Sequence, residues 1–175
     1  MGRVGFDVQR GPFIFGIVGE GGKSEISDSV SAFSTTPAFY TMTRDLKYNA
    51  GLRALLGYTP NNRTLSYATG GGAYGRVRNS FATSNTTNSF TVSGDSDARG
   101  FSAGGVEPKL GKNLSVGLEY LYTDLNGDKG RVRVGAGTAP ATNPFLLASA
   151  GGTDLQRSDS HFRWHAIRAV ATFRF

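Results

Sequence analysis

A period of two governs this chain. In "LSVGLEYLYTDL", Leu114, Val116, Leu118, Tyr120 and Tyr122 share one parity, while Ser115, Gly117, Glu119, Leu121 and Thr123 share the other. Successive side chains of a strand point to opposite faces, so this alternation specifies a strand with one apolar and one polar face. A lone strand of this kind fits a soluble sheet with Glu119 in water. The alternation recurs, however. "VGFDVQ" sets Val4, Phe6 and Val8 against Gly5, Asp7 and Gln9, and "FIFGIVGE" sets Phe13, Phe15 and Ile17 against Ile14, Gly16 and Val18. "YNAGLRALLGYT" opposes Tyr48, Leu52, Leu56 and Tyr58 to Asn49, Gly51, Arg53 and Leu55, and "IRAVATFRF" opposes Ile167 and Phe173 to Arg168 and Arg174. "TLSYATGGGAYGRVR" alternates more weakly, with Leu65, Tyr67, Ala73 and Val77 on its apolar parity, and "RGFSAGGVEPKL" begins the same way at Phe101 and Ala103. No stretch carries a helical period, and 25 glycines argue against long helices.

Seven strands are expected, at about 3–9, 12–20, 46–59, 64–78, 98–110, 114–125 and 161–175. Their connections sort by length. Gln9–Pro12, Thr59–Arg63 and Gly111–Asn113 are short and rich in turn residues, whereas 21–45, 79–97 and 126–160 are long and polar. Short at one end and long at the other describes an up-and-down antiparallel meander with one elaborate face, a single domain over 1–175.

The distribution of side chains selects its surroundings. One face carries Leu, Val and Ile in mid-strand with Tyr or Phe towards the ends; the other carries Gly, Ser, Thr and single charges. Aromatics flanking an apolar band are the girdles of a transmembrane barrel, whose strands alternate apolar-out and polar-in. A soluble ligand-carrying barrel has the opposite polarity. The expected fold is therefore an all-β, up-and-down antiparallel transmembrane β-barrel with Glu119 inside. Asp7, Arg53, Arg168 and Arg174 lie on inner faces too, and buried charges persist when paired, which predicts an Arg–carboxylate network through the lumen.

Other classes fit less well. No apolar run approaches the roughly 18 residues of a membrane helix. The start "MGRVGFDVQR" has no apolar h-region, so the chain is expected to be cytosolic or to have lost a signal peptide. With no cysteine, disulfide and thiolate sites are excluded. The net charge of +6 is spread over single Arg and Lys residues, without the basic run of a nucleic-acid site. "GGGAYG" at Gly70–Gly75 has the spacing of a dinucleotide loop but lies inside a strand, where small residues make room for interior side chains. "GVEPKLGKN" has the wrong glycine spacing for a phosphate loop. "DLNGDKG" places Asp124, Asn126 and Asp128 at alternate positions like the start of a calcium loop, but Gly135 stands where a bidentate Glu is needed; a polar turn is expected, with a weak loop-bound cation the alternative. His161 and His165 share a face about 13 Å apart, too far for one metal. Ser160 lies nearby with nothing to orient it, so neither catalysis nor a cofactor is expected.

"VGLEYLYTDL", "YNAGLRALLGYTP", "YATGGGAYGRV", "GPFIFGIVGE" and the terminal "FRF" resemble the small outer-membrane β-barrel family of Gram-negative bacteria. The likeness is to its OmpA-like, opacity-type branch, common as surface antigens in alphaproteobacteria. It implies eight strands, periplasmic turns, extracellular loops, and a C-terminal aromatic signal, here Phe173 and Phe175, read by the barrel insertion machinery. It also implies a non-catalytic surface or structural role in the outer membrane, against lipid and lipopolysaccharide, with any extracellular ligand held by the loops. A narrow pore, or a loop-mediated adhesin or receptor, is the alternative. Two departures carry expectations of their own. Members have a strand before the one that here begins at Val4, and seven strands cannot close antiparallel, so one more is expected before Gly2. Glu107 shares parity with Phe101 and Ala103, so a bulge near Gly104–Gly105, or a chain one residue short there, is expected to return Glu107 to the interior.

Overall fold

The computed structural model describes residues 1–34, 38–60, 64–108 and 114–173. Within them the chain forms β1 (Gly2–Arg10), β2 (Phe13–Lys23), β3 (Ser27–Phe33), β4 (Phe39–Tyr58), β5 (Thr64–Thr83), β6 (Ser89–Val92), β7 (Ser96–Pro108), β8 (Leu114–Asn126), β9 (Arg131–Gly135), β10 (Thr153–Gln156) and β11 (His161–Phe173). No helix occurs among the described residues. The main sheet runs β1-β2-β4-β5-β7-β8-β11, antiparallel throughout, with β3 added to the outer half of β4. This is the expected meander. β1 and β11 each have one strand neighbour, so the sheet is not closed by backbone pairing among the described residues. The β1–β2 turn is set by Gly11, whose φ of 61° lies in the left-handed region.

The exposure pattern is inverted relative to an ordinary soluble sheet. Leu52 and Leu118 are each 63% exposed and Ile167 is 77% exposed, while Arg53 and Glu119 are at 0%. Val4, Phe6, Phe15, Ile17, Leu56 and Phe101 belong to the same exposed apolar face. Aromatic pairs bound it. Tyr48–Tyr74, Phe101–Tyr122 and Tyr122–His165 lie at one rim, with ring centroids 4.9–6.5 Å apart. Phe13–Tyr58 lies at the other, at 5.4 Å.

β5 departs from the expected polarity. Leu65, Tyr67 and Val77 face inward and are buried, whereas Ser66, Ala68, Gly70 and Gly72 face outward. The reason is pairing: directly opposed residues point to the same side, and Gly71 lies opposite inward-facing Arg53. The concave face of the curled sheet also carries apolar filling towards both ends. Ile14, Val18, Leu55, Leu65 and Tyr67 pack one end, and Leu46, Val77, Ala98, Leu125 and Phe162 the other.

The long connections are not plain loops. β4 and β5 continue outward to Phe39 and Thr83, well beyond the expected 46 and 78. β3 is held to β4 by Ser29–Thr43 and Ser31–Thr41 hydroxyl pairs, each 2.8 Å. A separate sheet, β10-β9-β6, joins the second and third connections.

The irregularity expected near Gly104–Gly105 is present, though in a different form from a bulge on β7. Between Gly104 and Val106, one β7 residue faces two on each neighbour: Tyr67 and Ala68 on β5, Glu119 and Tyr120 on β8. β7 is thus one residue short, and the slip pairs the Glu107 backbone with that of Leu65.

Candidate functional site: an interior charge layer and an outer crown

Between the two apolar plugs lies a layer of charge. Arg53 on β4 donates from Nη1 to Glu119 Oε1 at 3.1 Å and to Thr69 Oγ1 at 3.2 Å, and from Nη2 to Glu20 Oε2 at 2.8 Å. Arg168 on β11 donates from Nη2 to Glu119 Oε2 at 2.8 Å and to Glu20 Oε2 at 3.0 Å. Arg3 of β1 adds Nη1 at 3.6 Å from Glu119 Oε2. These contacts join β1, β2 and β4 to β8 and β11, so the sheet curls until its far strands meet through side chains. Gly71 makes the layer possible: a Cβ there would stand 2.1 Å from the Leu52 carbonyl oxygen and 2.6 Å from Arg53 Cα.

Of the predicted network, Arg53, Glu119 and Arg168 come together. Asp7, on β1, is exposed; β1 has a strand neighbour on one side among the described residues. Arg174 and Phe175 lie outside the described residues. Phe173 is placed by its backbone alone, opposite Leu114. Sequence reading passed over Glu20, Arg3 and Thr69. Their parity carried the signal, since Glu20 continues the row of Ile14, Gly16 and Val18, and Arg3 continues that of Gly5 and Asp7.

The calcium-like residues do other work. Asp124 receives His161 Nδ1 at 2.7 Å and Arg163 Nε at 3.1 Å, and Asp128 Oδ1 accepts the Gly130 N–H at 3.2 Å. Among the described residues no three His, Asp or Glu side chains converge as metal ligands. His165 lies on the outer face against the Tyr120 hydroxyl, so the two histidines serve separate contacts.

The outer crown has its own core. Val132 and Val134 of β9 are fully buried, and Tyr40 meets Phe81, Phe90 and Phe145 at 5.7–6.5 Å. Asn88 Oδ1 accepts from the Asn85 and Asn143 amides while its own amide donates to the Gly135 carbonyl, tying the second and third connections together. The crown's charges are shifted by their neighbours. The His161 N–H bonded to Asp159 holds that carboxyl below its ordinary range. Burial, and then the nearby Arg44 charge, lower the Arg157 guanidinium.

No protein-family profile matches the chain. It is 33% identical over 153 residues to the "31 kDa outer-membrane immunogenic protein" of Brucella melitensis biotype 1, and equally to that of Brucella suis biovar 1. The match takes in 87% of this chain and 55% of each relative, so the chain spans about half the length of the curated relatives it matches. No solved structure matches it significantly. By homology to these relatives over most of its length, the chain is an outer-membrane protein.

Proposed function

We propose that the curled sheet is the wall of a transmembrane β-barrel of the OmpA-like, opacity-type architecture, and that the protein is a non-catalytic, structural surface protein of the outer membrane. The inverted exposure carries this reading: aliphatic side chains cover the outside while Arg53 and Glu119 are fully buried. Dimensions agree with it. Tyr48 and Tyr58 lie ten residues apart on β4, about 33 Å of strand. At a tilt of about 45° that projects to roughly 24 Å, near the ~25 Å apolar band of such barrels.

An open sheet edge in lipid leaves amides and carbonyls without water or partner. β1 and β11 run in the same direction, so one further antiparallel strand between them satisfies both edges and brings the main wall to eight. The crown then faces outward among lipopolysaccharide headgroups, and the insertion machinery reads the C-terminal aromatics. Exposed rim pairs such as Arg163–Asp124 and Arg76–Asp97 offer phosphate-binding guanidiniums there.

The layered lumen supports a plugged barrel. Reconstituted in planar bilayers, the protein should give no regular conductance steps, because apolar clusters close the lumen on both sides of the charge layer. Discrete steps of constant size would favour the narrow-pore reading instead. A loop-mediated adhesin or receptor is the second reading, favoured by the ordered, cavity-bearing crown.

A further inference from the structure

The crown contains a cavity of about 330 Å³ between the β3–β4 hairpin and the chain that follows β10. Val30, Ala32, Tyr40, Met42 and Leu155 give it apolar walls, and Arg157 stands in the lining. Apolar walls with a few placed polar groups, at the small end of this size range, characterise small-molecule sites.

The polar groups here are unevenly matched. The Arg157 side chain is 10% exposed. It donates from Nη2 to Asp28 Oδ2 and from Nη1 to the Met42 carbonyl at 3.2 Å, leaving its buried Nε without an acceptor. Arg44, also buried, donates from Nη2 to the same Asp28 oxygen at 2.9 Å, and its Nε likewise has no acceptor. Two guanidiniums therefore share one carboxylate oxygen. Asp159, the acid in the cavity lining, is engaged elsewhere: Oδ1 accepts the His161 N–H at 2.9 Å and Oδ2 faces Arg163 Nη1 at 3.5 Å. What remains is a buried guanidinium in the lining of an apolar chamber whose one carboxylate partner is shared with Arg44, an arrangement that an anion improves.

We propose that this cavity binds a small amphipathic monocarboxylate, its carboxylate accepting from the Arg157 guanidinium and its hydrocarbon body lying against Val30, Ala32 and Met42. The charge-assisted hydrogen bond supplies selectivity for the acid over a neutral amphiphile of equal length. The site belongs to the crown, and none of these contacts depends on what covers the barrel wall.

Hexanoate titrated at neutral pH into the full chain in lipid nanodiscs, followed by calorimetry with empty discs subtracted, tests this. Hexan-1-ol is the uncharged control. Saturable hexanoate binding is expected, weakened at least about ten-fold in Arg157→Gln. Binding should be abolished in Ala32→Trp, which fills the chamber from an exposed position on β3. Hexan-1-ol should bind weakly and equally to wild type and Arg157→Gln. The proposal is overturned if hexanoate shows no saturable binding, if it binds Ala32→Trp as tightly as wild type, or if hexan-1-ol matches hexanoate. Should Arg157→Gln fail to fold, Ala32→Trp and the alcohol still decide.

Discussion

Glu119→Ala is expected to destabilise the folded protein by about 3–5 kcal/mol, the usual cost of deleting one partner of a buried ion pair. Glu119 holds both Arg53 and Arg168, with oxygens 3.1 and 2.8 Å from their nitrogens, and both it and Arg53 are fully buried. Three guanidiniums meet two carboxylates in that layer, so removing one acid leaves Glu20 alone against Arg3, Arg53 and Arg168. Arg53, at 0% exposure, cannot reach water without opening the apolar clusters on either side, whereas Arg3 and Arg168 are each about a fifth exposed. Urea unfolding in lipid vesicles, followed by the gel-mobility change between folded and unfolded forms, measures the loss. Combining Glu119→Ala with Arg53→Met should recover part of it, because the second change removes the stranded charge. Asp97→Asn, which breaks the exposed Arg76–Asp97 pair, should change stability far less. Equal effects for Glu119→Ala and Asp97→Asn would mean that the interior layer is solvated.

The second large effect belongs to the outer face. Leu52→Arg and Leu118→Arg each place a guanidinium at a position 63% exposed near the middle of a strand. On a soluble sheet such a change is close to neutral and improves solubility. At the bilayer midplane of a barrel it costs about 2–4 kcal/mol. Leu147→Arg is the matched control, since Leu147 is 72% exposed but lies in the crown. The first two variants should fold into membranes in lower yield and unfold at lower urea concentration, while Leu147→Arg behaves as wild type. If all three match wild type, the apolar face does not meet lipid.

Much of this was legible in the alternation of two. It put Leu118 on one face and Arg53 and Glu119 on the other, of which the first is exposed and the other two are buried, and it located the seven strands of the main path. It failed where both parities offered plausible neighbours. On β5 the apolar parity of Leu65 and Tyr67 reads as an outer face, yet the register to β4 turns it inward and leaves Ala68, Gly70 and Gly72 outside. No local pattern encodes that, because it depends on which residues of another strand lie opposite. The crown was hidden for a different reason. β3 and the outer half of β4 are bonded through Ser and Thr pairs, which look like loop composition, and β6 and β10 are four residues each. "RVRV" of β9 did carry a signal, since Val132 and Val134 are its buried parity. Glu20 and Arg3 were readable in principle by extending each strand's parity by a single step. Asp7 lies opposite Gly16 in that same row, yet it is exposed, because parity fixes a direction and not the degree of cover.

Lipid contact along the exposed apolar face is directly measurable, because the chain has no cysteine of its own. Nitroxide labels at Leu52→Cys, Leu118→Cys, Ile167→Cys and Leu147→Cys, in protein folded into lipid vesicles, can be probed by power saturation with oxygen and with a water-soluble nickel chelate. Oxygen concentrates in hydrocarbon and the chelate stays in water. Lipid contact predicts high oxygen and low nickel accessibility at positions 52, 118 and 167, with the reverse at 147. Nickel accessibility exceeding that of oxygen at 52, 118 and 167 would contradict it, because those side chains would then face water.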